Sequence, residues 1–152
     1  MKFKFALLIF SLLLVASCTQ TKPKTSPGLA IFREILDLKL KDKKDYFQKL
    51  GYTFKWGDST SLTYKHVDDR DTSSYQVYDL GATKGCIYKT NNKGELTLIK
   101  NEVIAKGFTP QVGAGKTRAY VKDNELFFVI DTVRLGKRII TLNLMRIVGI
   151  KR

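Results

Sequence analysis

The sequence predicts an α+β fold: a helix followed by about four antiparallel strands, repeated in tandem, joined into one twisted antiparallel sheet with the helices packed on one face. Three observations carry this. After Gly51 the apolar pattern changes from helical spacing to alternation. The stretch "KLGYTF" at 49–54 returns as "KGFTP" at 106–110, each time closing a helical segment. Finally, Gly51 and Tyr64 are separated by 13 residues, as are Gly107 and Tyr120, so the halves are offset by 56.

The elements follow in order. Over 29–50, Phe32, Ile35 and Leu36 recur at helical spacing, then Leu40, Phe47 and Leu50. "LDLKLK" alternates instead and predicts a break near 37–42, with Asp42 capping the second part and Gly51 ending it. Next come four short runs, "YTFKW", "SLTYKHV", "SYQVYDL" and "CIYKT", separated by "GDS", "DDRDTS" and "GATKG" and closed by "NNKG". Leu62, Tyr64 and His66 share a face, as in a half-buried antiparallel strand. A second helix fits "ELTLIKNEVIAK", with Leu96, Ile99 and Val103 on one side and Gly107 as its stop. Strands resume with "GFTPQV", "KTRAYV", "ELFFVIDTV" and "KRIITLNLMRIV", and the turns "KDN" and "RLGK" are short enough for hairpins. The domain is therefore 29–152, with halves at about 29–93 and 94–152. Joined edge to edge, the two units cover one face of the sheet with helices and leave the other open.

The N-terminus has a different logic. Lys2 and Lys4 precede an apolar run, Phe5 to Ala16, shorter than the ~20 residues a helix needs to cross a bilayer. This is the layout of an export signal over 1–17. Val15-Ala16-Ser17-Cys18 resembles the lipobox of bacterial lipoproteins, in which small residues precede the cysteine that is acylated and becomes the first residue. The resemblance implies a signal peptide removed before Cys18 and a lipidated Cys18 carrying acyl chains of the palmitate kind, three in all. More than one chain makes a stable membrane anchor. Residues 18–28 then form a linker with two of the three prolines, reaching at most ~35 Å. Thr19, where an aspartate would suggest inner-membrane retention, points by analogy to the outer membrane. The layout of the globular part resembles tandem-repeat β-lactamase inhibitor proteins and other small envelope lipoproteins, in layout only, so no binding residue is carried over.

Charge and motifs bound the function. The formal net charge is +13, or +11 without Lys2 and Lys4, and the latter is divided evenly, net +5 over 18–93 and +6 over 94–152. A nucleic-acid binder gathers its charge into a stripe, so no nucleic-acid partner is expected; an even positive surface suits lipid headgroups, glycan phosphates or an acidic protein. "VGAGKT" at 112–117 lacks the first glycine of a phosphate loop, with Pro110 standing in its place, and a strand rather than a helix follows. His66, the sole histidine, precedes Asp68, Asp69 and Asp71, but without the spacing of a calcium loop. Asp79 and Asp131 each sit inside an apolar strand run and are the candidate carboxylates. Cys86 reads as a small buried apolar residue. Tyr52, Trp56, Tyr64, Tyr75, Tyr78, Tyr88 and Tyr120 are plentiful enough that some are expected on the open face, a good protein-binding surface. No serine-hydrolase elbow or zinc-protease motif occurs.

The expectation is a non-enzymatic, membrane-anchored envelope lipoprotein that binds a protein partner as an inhibitor, immunity protein or accessory subunit. The alternative is a module that grips anionic cell-surface glycan or lipopolysaccharide. Neither reading calls for a catalytic residue, metal or cofactor, and the one assigned site is Cys18.

Overall fold

A computed structural model of the chain describes residues 27–66, 73–111 and 117–148. The lipobox and most of the linker, Asp68, Asp69 and Asp71, and 112–116 of the glycine-rich loop lie outside these residues.

Two helices open the domain, α1 (Leu29–Asp37) and α2 (Leu40–Lys49). Leu29, Phe32, Ile35 and Leu36 form one apolar stripe on α1, and all four are buried. The expected break falls at Leu38 and Lys39, both with extended backbone. Asp42 is not the cap: Lys39 holds that position, and Asp42 sits in the first turn, where a carboxylate still complements the helix dipole. Gly51 ends α2 at φ 87°, a left-handed conformation that suits glycine at a helix stop.

Eight strands follow, with α3 (Lys93–Ala105) between the fourth and fifth: β1 (Tyr52–Gly57), β2 (Ser61–His66), β3 (Ser74–Asp79), β4 (Thr83–Thr90), β5 (Thr109–Gln111), β6 (Thr117–Lys122), β7 (Glu125–Arg134) and β8 (Lys137–Ile147). Asn92 caps α3 by accepting from the Gly94 N–H at 2.9 Å. All strands join one antiparallel sheet in the order β1-β2-β3-β4-β8-β7-β6-β5. Each run of four is a meander of short connections, and β4 meets β8 at the centre.

Alternation decides the two faces. Tyr64, Tyr75, Val77, Cys86, Tyr88, Phe127, Val129, Ile140, Leu142 and Leu144 point to one side and are buried there with Phe32, Ile35, Phe47, Ile99 and Val103 of the helices. Phe47 stacks on Tyr64 with ring centroids 4.0 Å apart and meets Tyr52 and Tyr75 edge-on or tilted. Packing of this kind adds to simple burial. Glu125, buried at the start of β7, is held by both Arg33 and Arg146, with Nη2 atoms 2.6 and 2.9 Å from its two oxygens. Arg146 also pairs with Asp37, so α1 is pinned to β7 and β8 by charge as well as by its apolar stripe. Among the described residues no helix is long and apolar enough to cross a membrane.

Candidate functional site

The sheet has a second face, and among the described residues no helix lies over it. Its positions follow from the strand register. Tyr78 of β3 stands opposite Gly85 of β4. Across the centre, Ile87 opposes Asn143 and Gly85 opposes Met145. On β7, Leu126, Phe128, Ile130 and Thr132 oppose Met145, Asn143, Thr141 and Ile139 of β8. Val121 and Ala119 of β6 extend the surface beside Leu126 and Phe128. The result is a broad apolar floor of half-buried side chains. A floor of this kind, with no helix of the described residues over it, is a surface suited to contact.

Two features give this floor chemical detail. The Tyr78 ring lies flat across Gly85: a Cβ on Gly85 would fall 1.9 Å from its Cζ. Glycine here lets the ring cross the sheet toward Asn143, which hydrogen-bonds it and, with burial, sets the ionisation of its hydroxyl. Burial is the larger effect and raises the Tyr78 pKa. Meanwhile Asn143 Oδ1 is buried and accepts no hydrogen bond from the described residues. An acceptor stranded in an apolar floor is unfavourable until a donor arrives from outside.

Trp56 belongs to this face as well. The register slips between Phe54 and Trp56, so Phe54 opposes Tyr64 on the helix side while Trp56 opposes Thr63 on the other. At 57% exposure on an edge strand, Trp56 is available to a partner.

The other candidates distribute differently. Of the aromatic residues expected to lie partly on the open face, Tyr78 and Trp56 do so, whereas Tyr52, Tyr64, Tyr75, Tyr88 and Tyr120 all face the helices and are buried. Their hydroxyls form an interior polar network, with Tyr88 donating to Glu95 at 3.0 Å and Tyr52 sharing a 3.2 Å hydrogen bond with Ser73. His66 is buried edge-on to Tyr52. Cys86 is fully buried, and burial pushes its thiol well above the ordinary range.

Asp79 ends β3 beside Lys84 at 3.2 Å, in a hollow of about 250 Å³ that also includes Lys39 and Lys43. Burial favours its neutral form, but the Gly81 N–H and Lys84 outweigh that and lower its pKa. Asp131 is bidentate with Arg138, Nε to Oδ1 at 2.8 Å, in a larger groove of about 710 Å³ between α3 and β6–β8. Its rim carries Lys100 and Arg118. The three acid–base candidates are not brought together. His66 and Asp131 sit at about the same height on strands four places apart, about 19 Å. Asp79 and Asp131 are offset by about 20 Å along the strands, as the pairs Lys84–Arg146 and Asp131–Ile140 show. Among the described residues no three His, Cys, Asp or Glu side chains gather as a metal site would require.

No protein-family model matches the chain, and no curated protein or solved structure is significantly similar to it.

Proposed function

We propose that this protein is a membrane-anchored envelope lipoprotein and a binding module, whose open sheet face receives a protein partner.

 It acts by binding and not by catalysis. The observation that carries this reading is the apolar floor around Asn143, with a buried acceptor that has no partner among the described residues. A protein edge or loop supplies both an apolar surface for Phe128, Leu126 and Met145 and an N–H for Asn143 Oδ1, with Tyr78 and Trp56 as aromatic anchors. A glycan would leave that floor poorly matched. The separation of His66, Asp79 and Asp131 also favours binding over acid–base chemistry.

The membrane part of the proposal rests on Val15-Ala16-Ser17-Cys18 and the proline-bearing linker: signal 1–17 removed, Cys18 acylated, the domain held at the outer membrane. Mass spectrometry of the mature chain should find its N-terminus at Cys18 with added acyl mass; an unmodified thiol there would refute the anchor.

We also read the domain as a tandem duplication, α2-β1-β2-β3-β4 followed by α3-β5-β6-β7-β8. In its support, the strand order reads alike from either edge, and Gly51 and Gly107 each end a helix at φ 87° and 83°. Tyr64 and Tyr120 sit at matching places in β2 and β6.

The experiment for the binding face is affinity capture from envelopes with the native chain and with Phe128→Lys. The native chain should retain a partner at moderate salt, and the lysine should remove it while the circular dichroism spectrum stays native. Retention by the variant would refute the assignment. The second reading, a polyanion-binding module, draws on the groove with Lys100, Arg118 and Arg138. It predicts capture that fades steeply with salt and ignores Phe128→Lys.

A further inference from the structure

The β7–β8 hairpin outruns its neighbours. On one side β6 pairs with β7 only as far as Ile130, and on the other β4 pairs with β8 only from Ile140 onward. Beyond those points the rungs Thr132–Ile139, Val133–Arg138 and Arg134–Lys137 stand without a flanking described strand. They form a finger that extends the hairpin by about 10 Å past its described strand neighbours, with Val133 and Arg138 also lining the groove beside α3.

Three things about its tip work against folding. Leu135 is 95% exposed, the most exposed large apolar side chain among the described residues. Its backbone lies at φ 50°, left-handed, where leucine is disfavoured and asparagine or glycine is usual. Arg134 and Lys137 stand directly opposite each other, two like charges across one rung. Val133, 66% exposed, adds a second aliphatic group just below the tip. Local features that each oppose stability, gathered at one projecting point, mark a site kept for contact.

We propose that this finger inserts into an anionic lipid surface, with Leu135 and Val133 entering the apolar layer while Arg134 and Lys137 hold headgroup phosphates. An anionic interface relieves two of these features at once: it buries the aliphatics and neutralises the paired cations. The shape agrees, since the tip is convex and narrow and its flanks are basic. Behind it, Lys100 and Arg118 rim the groove at the root of the finger and extend the same positive field. Arg138 is already matched by Asp131, which stiffens the root. The inference rests on the membrane-held reading above, but it concerns a second contact, independent of Cys18.

The test places the only tryptophan of the full chain at the tip, with Trp56→Phe and Leu135→Trp, and records its emission on vesicles of phosphatidylcholine with or without phosphatidylglycerol. The expected result is a blue shift and quenching by brominated acyl chains on the anionic vesicles, and much less on the neutral ones. Adding Arg134→Glu and Lys137→Glu should weaken the response tenfold or more, since each basic residue near such a surface contributes appreciably. Equal responses on both vesicles, no response on either, or indifference to the charge reversals would each overturn the proposal. No response on either would leave the finger to a protein cleft. Repeating the measurement with Cys18→Ser separates the two readings: loss of sedimentation with a persisting tip signal concerns the anchor, and the converse concerns the finger.

Discussion

Leu135 holds a left-handed backbone in a two-residue turn with Gly136, a geometry that favours asparagine followed by glycine. Leu135→Asn should therefore stabilise the isolated domain, by about 1 kcal/mol, and raise its melting temperature. A fall in melting temperature would mean that the leucine is packed rather than displayed. At the other end of β7, Glu125 answers two guanidinium groups from the interior. Glu125→Ala should cost about 2–3 kcal/mol in chemical denaturation, less than a fully buried pair because both arginines reach solvent. Gly85 is the residue-level control on the open face. In Gly85→Ala the new methyl displaces the Tyr78 ring, so partner capture should drop while stability changes by about 1 kcal/mol or less. None of these three roles was legible in the sequence. A glycine in a strand signals close approach but not by which ring, and an acid in a run of apolar residues does not name its cations.

At the level of elements, alternation and helix stops were legible because they depend on local chain geometry. The break between α1 and α2, the stops at Gly51 and Gly107 and both C-terminal hairpins fall where the pattern put them. Trp56 shows where pattern reading stops. Strict alternation assigns it the face of Phe54, and the bulge between them reverses that, a decision made by pairing with β2. The tyrosines show a related limit: their strand preference is real, but which of them take the open face depends on which side the helices cover. Helix α2 depends on very little. Its buried side chains are Phe47 and Lys43, and Lys43 survives burial by donating to the Ile35 carbonyl, with burial lowering its pKa. Phe47→Ala should then cost about 3–5 kcal/mol and loosen α2 ahead of the sheet, visible as faster amide exchange over 40–49.

Across the whole molecule, the core is rich in groups that must stay protonated. Burial raises the pKa of Tyr75 and Tyr88 above the ordinary 10.0 and that of Cys86 above 9.0. With the folded value above the unfolded one, the folded state holds protons that the unfolded chain sheds, so stability is complete below about pH 9 and is lost as pH rises past it. Lys43 runs the other way, since its folded value lies below 10.5, but it is one group against several, Tyr46, Tyr64 and Tyr78 being raised as well. Thermal melts should fall steadily from about pH 9 to pH 11, and Tyr75→Phe should flatten that decline. Because the Tyr75 hydroxyl is buried without a partner among the described residues, the same change should do no harm at neutral pH. A melting temperature that held constant to pH 11 would contradict this account of the core.

The central claim is that the sheet face away from the helices is where this domain meets a protein. A photoreactive side chain at position 128, on that face, and another at Leu98, exposed on α3, allow a direct comparison in intact envelopes. Illumination should give a discrete protein adduct from position 128 and none from 98. An adduct from 98 alone, or equal labelling from both, would contradict it.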